Sequence, residues 1–195
     1  MSAVAHTITY ADVSAVRPGA ILVAPWRTPF SEQQAFVTLT VAPDGRSAEG
    51  RFSLPARRSE PPRAEHAPTV DVTTLGDISS TRLSEAEFGA ATFALGVRLR
   101  GIRQQADARR RYGRAVWLRG LADAPSWACA LFRAEPGLTT LVWQGGPRRL
   151  WDEAEAAYDW WVAQGAPAPA RFGLTVDGAG GRIWLDEPEN VVRHL

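Results

Sequence analysis

WDEAEAAYDWW, which runs from Trp151 to Trp161, holds three of the eight Trp residues of the chain. Its apolar and aromatic residues recur every three or four positions, the period of a helix with one apolar face. Two acidic residues in its first turn favour the positive end of the helix dipole. The pattern predicts a helix that buries Trp151, Tyr158 and Trp161 in a core. Trp160 points about 100° away from Trp161, so we interpret it either as a partly exposed contact residue or as part of the core.

The residues around this helix predict further strands and one more helix. Turn-forming residues separate GVRLRGI, AVWLRG, WACALFR and LTTLVWQ, which predicts an antiparallel meander. In RLSEAEFGAATFAL, Ser84 and Glu87 form a capping box that begins a helix. A hairpin with strands at 171–176 and 182–186 is predicted near the end of the chain.

The pattern of residues in the first part of the chain also predicts strands. AHTITY is followed by a short turn or helix, and AILVAPW, Ala20–Trp26, is nearly all apolar, which predicts a strand buried on both faces. AFVTLTV, Ala35–Val41, ends at the turn signal APDG, and RSAEGRFSL is predicted to return as its hairpin partner.

The segment PARRSEPPRAEHAPT, Pro55–Thr69, is rich in Pro and Arg and has no large apolar residue, which predicts an exposed linker. We therefore expect an N-terminal β piece at 1–54, a linker at 55–69 and a domain at 70–195. The predicted fold class is α+β, with an antiparallel sheet packed on about two helices and the small N-terminal β piece beside it.

Composition excludes several classes of protein. The net charge is +1, which argues against a dedicated nucleic-acid binder. All 22 basic residues are Arg, so a lysine Schiff base and a P-loop lysine are excluded. The single Cys, Cys129, cannot form an intramolecular disulfide and fits a reducing compartment. No apolar run reaches the roughly 18 residues that a membrane helix needs, so we expect a cytoplasmic protein without a membrane segment.

Arginine is concentrated between positions 98 and 119, where the only acidic residue is Asp107. The segment is interpreted as a solvated loop, as a clamp that grips an acidic peptide through guanidinium groups, or as a nucleic-acid contact. A second basic group lies at 145–149, where the start of a helix also offers N–H donors to a carboxylate. The candidate peptide- or partner-binding residues are Arg109, Arg110, Arg111, Arg114, Arg148, Arg149, Trp143 and Trp160.

Two long stretches carry a resemblance to a known family. SAVRPGAILVAPWRTPF and FVTLTVAPDGRSAEGRF resemble the last part of a protein-L-isoaspartate O-methyltransferase domain. QGGPRRLWDEAEAAYDWWVAQGAPAPARFGLTV and WLDEPENVV resemble the C-terminal extension of actinobacterial members found in ribosomal-peptide clusters, such as lanthipeptide and graspetide pathways. The resemblance implies S-adenosylmethionine, a class I methyltransferase sheet in the N-terminal piece, and carboxyl methylation of a peptide.

The sequence departs from that family where the cofactor binds. No glycine-rich strand–turn–helix precedes residue 20, and the residues show no nucleophile elbow, HExxH or paired cysteines. We therefore assign no catalytic, metal or cofactor-binding residue, and we expect S-adenosylmethionine only if another chain completes the site. His6, on a predicted strand, is interpreted as a structural or surface histidine and Cys129 as a buried, inert thiol.

Three functions remain open at this point. The first is a non-catalytic recognition or accessory module for an acidic peptide or a partner protein. The second is the C-terminal part of a split or truncated methyltransferase, which predicts exposed apolar strands and either self-association or a methyltransferase partner chain. The third is an unrelated enzyme or nucleic-acid binder.

Overall fold

The computed structural model of the chain describes residues 8–55, 76–109, 111, 113–121, 126–135 and 138–195. In these ranges the chain forms two antiparallel sheets and four α-helices, which confirms the predicted α+β class. The strands are β1 (Ile21–Trp26), β2 (Ala35–Val41), β3 (Ser47–Ser53), β4 (Asp77–Thr81), β5 (Ile102–Ala106), β6 (Gly113–Gly120), β7 (Trp127–Arg133), β8 (Thr140–Gly145), β9 (Phe172–Asp177), β10 (Gly180–Leu185) and β11 (Val191–His194). The helices are α1 (Tyr10–Ser14), α2 (Glu85–Ala90), α3 (Thr92–Arg98) and α4 (Leu150–Ala163). No helix in the described ranges has the length and apolarity that a membrane crossing requires.

The described residues divide into two compact units. The first unit takes residues 8–28, 32–55 and 164–195, and the second takes 29–31 and the described residues between 76 and 163. The first sheet has the order β1-β2-β3-β9-β10-β11 and belongs to the first unit. The second sheet has the order β4-β8-β7-β6-β5 and belongs to the second unit.

This division differs from the predicted one, in which 1–54 and 70–195 form separate domains. In the structure β3 pairs with β9, so strands from both predicted domains share one sheet. Ala48 lies opposite Val176 in this pair, and both side chains are buried. Local patterns cannot reveal such a pairing, because the two strands are far apart in the sequence. The predicted linker at 55–69 lies outside the described residues, except for Pro55.

The core of the first unit is built on the predicted hairpin. β2 pairs with β3, which confirms that RSAEGRFSL returns along AFVTLTV. The carboxylate of Asp44 accepts a hydrogen bond of 2.9 Å from the backbone N–H of Arg46 and closes the turn between them. Alternate side chains of β2 are buried, and the Phe52 ring of β3 lies 4.8 Å from that of Trp26. The short predicted turn or helix after AHTITY is α1, which buries Val13; residues 5–7 of that segment lie outside the described ranges.

β1 is not buried on both faces, contrary to prediction. It lies at the edge of the first sheet, and β2 is its only partner among the described strands. Ile21 and Val23 are about two-thirds exposed, while Trp26 is buried. Pro25 fits an edge strand, because it has no N–H to donate to a second neighbour. An apolar run alone does not distinguish a central strand from an apolar edge.

A second cluster of contacts in the first unit stabilises the turn after β10. The ring of Trp184 covers Gly173, where a Cβ would come within 2.1 Å of the indole. The Arg51 guanidinium lies 4.8 Å from the centre of that ring and donates to the Asp186 carbonyl at 2.6 Å. Arg171 donates two hydrogen bonds of 2.7 Å to the Asp186 carboxylate. These bonds hold the pKa of Asp186 below its ordinary value and raise the pKa of Arg171.

In the second unit, helices pack against one face of the second sheet. The predicted meander is present as β6, β7 and β8. Trp151 is 1% exposed, and its ring stacks on Phe88 of α2 at 5.2 Å and lies 6.0 Å from Phe132 of β7. The aromatic residues of three elements therefore meet in one core.

The helix predicted at Trp151–Trp161 is α4, and the burial of Trp151 is confirmed. Tyr158 and Trp161 pack against the core but are only partly buried, and their rings are 5.6 Å apart. Trp160 is also partly exposed, and the Arg98 guanidinium lies 4.7 Å from the centre of its ring. A cation over an indole stabilises the packing of α3 beside α4.

The capping box is confirmed, and one predicted strand is wrong. Ser84 Oγ accepts from the Glu87 N–H at 3.2 Å, and the Glu87 carboxylate accepts from the Ser84 N–H at 2.8 Å. GVRLRGI was predicted to be a strand from its alternation, but α3 continues to Arg98 and β5 begins only at Ile102. Val97 is fully buried and Arg98 stacks on Trp160, so contacts with α4 outweigh the local alternation.

Candidate functional site

A cleft of about 440 Å³ lies in the second unit, where β4 leads into α2 and β7 leads into β8. Leu83 and Phe132 give it an apolar floor, and Leu138, which is about half exposed, stands at its side. Two cationic residues, Arg82 and Arg133, line it together with Glu85 and Glu135. Its volume lies within the range of small-ligand and peptide side-chain pockets, roughly 300–1,000 Å³.

A smaller hollow of about 100 Å³ adjoins this cleft. Arg111 and Arg133 line it, together with Ala134, Glu135 and Leu138. Since Arg133, Glu135 and Leu138 line both spaces, the two form one continuous surface. We call this surface the arginine-lined cleft.

Two of the predicted arginines border the cleft through a shared partner. Glu85, in the first turn of α2, pairs with Arg109 and also with Arg114, whose Nη1 lies 3.2 Å away. Arg114 additionally donates from Nε to the Asp107 carbonyl at 2.9 Å. One carboxylate therefore serves two guanidinium groups, which leaves the pair of arginines with a net positive charge.

Arg82 and Arg133, which line the cleft, are not neutralised in this way. Within the described ranges, neither Arg82 nor Arg133 forms an ion pair, and both side chains are exposed. Arg111 is also exposed, while Arg110 lies outside the described residues. Sequence reasoning missed Arg82 and Arg133, because each is a single Arg beside a strand end and no local pattern marks it.

The arginines of the second predicted basic group, at the start of α4, bind acidic residues of the chain itself. Arg148 donates to the Glu153 carboxylate at 2.6 and 3.0 Å, and this bonding raises the pKa of Arg148. Arg149 pairs with Asp77 of β4 and lies 3.4 Å from the carboxylate of Asp152. The Arg149–Asp77 pair joins the start of α4 to the second sheet, and the Arg148–Glu153 pair lies at the start of α4, so both arginines have acidic partners inside the chain.

The N–H donors predicted at this helix start also have acceptors. The Arg148 N–H donates to Ser126 Oγ at 3.0 Å, and the Trp151 N–H donates to Gln144 Oε1 at 3.1 Å. Gln144 is fully buried and also binds Asp152 through its amide nitrogen at 2.6 Å. The expected carboxylate site at 145–149 is therefore filled in good part by side chains of the chain itself.

Trp143 is not brought together with these arginines. It precedes Gln144 in β8, and adjacent strand residues point to opposite faces, so its side chain lies on the face away from α4. There it lies across from Ile78 of β4 and Cys129 of β7. Trp160, on α4, is covered on one side by Arg98 and contributes to packing.

The two glycine-containing turns, after β8 and between β9 and β10, do not fit the S-adenosylmethionine site of a methyltransferase. β8, which ends at Gly145, is followed by Gly146 and α4 as a strand–turn–helix, but its turn holds Arg148 and Arg149, which are paired with Glu153 and Asp77. DGAGG joins β9 to β10 in an antiparallel hairpin, where no helix follows to receive an anion.

Groups with nucleophilic or metal-binding chemistry do not converge in the described part of the chain. No three His, Cys, Asp or Glu residues lie close enough there to hold a metal ion. Cys129 is buried in β7, and burial, with a smaller contribution from the Asp107 charge, raises the pKa of its thiol to about 12. His194 lies on β11, while His6 and His66 lie outside the described residues.

Comparisons of the chain with protein-family models, with curated proteins and with solved structures found no match.

Proposed function

We propose that the second unit is a recognition module that binds an acidic peptide, or an acidic segment of a partner protein, in the arginine-lined cleft. The observation that carries the proposal is the excess of positive charge around it. Among the described residues, Arg82, Arg111 and Arg133 line the cleft together with Glu85 and Glu135, and Arg109 and Arg114 lie beside it as the partners of Glu85. Guanidinium groups bind carboxylates through paired hydrogen bonds, so an acidic ligand is the complementary class.

The apolar floor supports a peptide over a free anion. Leu83 and Phe132 lie beneath the charged rim, and Leu138 presents an exposed apolar side chain beside it. A ligand that carries both carboxylates and an apolar side chain would use both parts of the cleft. The resemblance of the sequence to peptide carboxyl methyltransferases of natural-product pathways adds a peptide as the ligand class, and the module would be an accessory to such enzymes.

Charge reversal tests this proposal. The probe is a fluorescein-labelled peptide made of Glu, Thr and one Leu, and binding is followed by fluorescence anisotropy at two salt concentrations. The variant Arg82→Glu/Arg133→Glu is expected to weaken binding about tenfold or more, and the remaining affinity is expected to fall less steeply with salt. The matched control, Arg17→Glu/Arg46→Glu, makes the same change of net charge on exposed residues of the first unit and is expected to bind like the parent chain.

Equal affinity of the two double variants would remove the cleft as the binding site. A control peptide with Gln in place of Glu separates charge from sequence. If it binds as well as the acidic peptide, the ligand class is wrong.

β1 favours a second candidate function. It presents Ile21 and Val23 at the edge of the first sheet, where another chain can add a strand. Such a partner would be a methyltransferase chain, and the two together would form an S-adenosylmethionine-dependent carboxyl methyltransferase. Calorimetric titration of S-adenosylmethionine into the purified chain tests the simplest form of this idea. Saturable heat would mean that the chain holds a cofactor site by itself, and its absence would leave only a site completed by another chain.

A further inference from the structure

The two edges of the second sheet differ in how they are covered. At β5 the backbone N–H of Gln104 donates to the carbonyl of Phe30 at 2.5 Å, so this edge already has a neighbour. At β4 no strand of the described ranges pairs on the outer side, the residues from Asp77 to Ser80 are all exposed, and Ile78 is 63% exposed. An uncovered edge with an exposed apolar side chain is a template for another strand.

The hydrogen-bond register shows which backbone groups of β4 point outward. The Gly120 N–H donates to the Ser126 carbonyl, which fixes the alternation between β6 and β7. Hydrogen-bonded and non-bonded residue pairs alternate along two antiparallel strands. The registers of β7 with β8 and of β8 with β4 therefore determine which residues of β4 bond to β8. Ser79 then bonds to β8, while the backbone groups of Ile78 and Ser80 face outward.

We propose that the acidic peptide binds as an additional strand along β4, with its acidic end in the arginine-lined cleft. This inference rests on the proposed function and adds the way in which the peptide is held. The outward N–H and C=O groups of Ile78 and Ser80 give it backbone hydrogen bonds, as in other cases of strand addition.

The chain continues from this edge directly into the cleft. β4 ends at Thr81, and the next residues, Arg82 and Leu83, line the cleft. At about 3.3 Å per residue, an extended peptide spans the distance from Ile78 to Arg82 with four residues. The geometry therefore selects an apolar side chain that covers Ile78 and an acidic side chain about four positions away.

The apolar contact is reinforced from β8. Trp143 lies directly across from Ile78, on the same face of the sheet. A peptide strand added to β4 would lie two strand spacings, about 9.6 Å, from β8, so Trp143 would support the peptide through its contact with Ile78. This places Trp143 behind Ile78 at the β4 edge, separate from the arginines with which the sequence groups it.

Ser80→Pro tests the added strand, and Ser80→Ala is its control. Proline removes the outward N–H of Ser80 and keeps the bonds of β4 to β8, because the position has no bond to β8. Pro is tolerated at such edge positions. We expect Ser80→Pro to weaken the same Glu-, Thr- and Leu-containing peptide about tenfold or more, and Ser80→Ala to bind like the parent chain. Equal affinity of the two variants overturns the added strand, while the effect of Arg82→Glu/Arg133→Glu would still support the cleft.

A second measurement leaves the protein unchanged. Two peptides are prepared with N-methyl groups on alternate backbone amides, one set at odd and one at even positions. An added strand bonds to β4 through one set only, so one peptide is expected to lose affinity and the other to keep it. If both bind like the unmodified peptide, the added strand is wrong even if Ser80→Pro fails to fold.

A second copy of this chain is the competing occupant of the edge. Sedimentation velocity over a range of concentrations detects it. Self-association that Ser80→Pro abolishes and that the peptide does not displace would assign the edge to a second copy and overturn the peptide.

Discussion

Replacement of Trp151 by Ala is the sharpest test of the core described for the second unit. The side chain is 1% exposed, stacks on Phe88 and contacts Phe132. Truncation of a buried Trp to Ala costs about 3–5 kcal/mol, and aromatic pairs add about 0.5–1.5 kcal/mol each. We therefore expect a loss near the upper end, about 5 kcal/mol of the free energy of unfolding of this unit.

Replacement by Phe refines the estimate. Among the described residues, the Trp151 indole N–H is buried without an acceptor. A buried donor without a partner costs about 1–3 kcal/mol, and Phe removes that donor while it keeps most of the ring contact with Phe88. Trp151→Phe is therefore expected to cost less than about 2 kcal/mol.

The assay is urea unfolding followed by far-ultraviolet circular dichroism, with Trp160→Ala as the control on the same helix. Trp160 is partly exposed and lies against Arg98, a contact worth about 0.5–1 kcal/mol. If Trp151→Ala and Trp160→Ala lose the same stability, the placement of Trp151 at the centre of the core is refuted.

Three further predictions concern single groups. Arg171 holds the pKa of the Asp186 carboxylate below its ordinary 3.8, so this ion pair stabilises the first unit above pH 3.8 and ceases to do so as the pH falls through the lower, folded-state pKa. Asp186→Asn is therefore expected to lose less stability on acidification than the parent chain. Curves of unfolding free energy against pH that run parallel for the two chains would contradict this. Cys129, with its pKa raised to about 12, is expected to resist a thiol reagent at pH 8 in the native chain and to react at once in urea; rapid native labelling would show that the thiol is accessible. Ser84→Ala removes the capping box of α2 and is expected to cost about 1 kcal/mol, whereas Ser84→Asp is expected to restore most of it, as thermal unfolding would show.

Local patterns predicted the elements that local chemistry determines. Ser84 and Glu87 satisfy each other within one turn, so their sequence alone identifies the start of α2. The apolar stripe of Trp151–Trp161 likewise identifies α4, because a helix with one apolar face needs a core to cover it. The hairpin of β2 and β3 follows from alternation and a turn signal.

Elements that depend on distant partners were not predictable in the same way. β4 is a polar segment, and its strand form comes from pairing with β8, which lies far along the chain. The exposure of β1 follows from its place in the strand order, which its apolar residues do not encode. Strand pairing over long sequence distances is decided by the whole core.

In the candidate site, too, some residues could be predicted from local sequence and others depend on distant partners. An excess of arginine between 98 and 119 indicated a basic surface; Arg111 lines the arginine-lined cleft, and Arg109 and Arg114 pair with Glu85, which also lines it. The arginines at 148 and 149 carry the same charge but are paired with acids. Charge in a sequence therefore predicts an available cation only after the acids that fold onto it are known.

The pairing of β3 with β9 sets the order in which the protein can be completed during synthesis. β1, β2 and β3 leave the ribosome early, but β3 meets its neighbour only after the whole second unit has been translated. Since domains fold as units while the chain grows, the second unit can fold before the first sheet is closed. During that interval β3 has an open edge, and an open edge is a template on which a strand of another chain can pair.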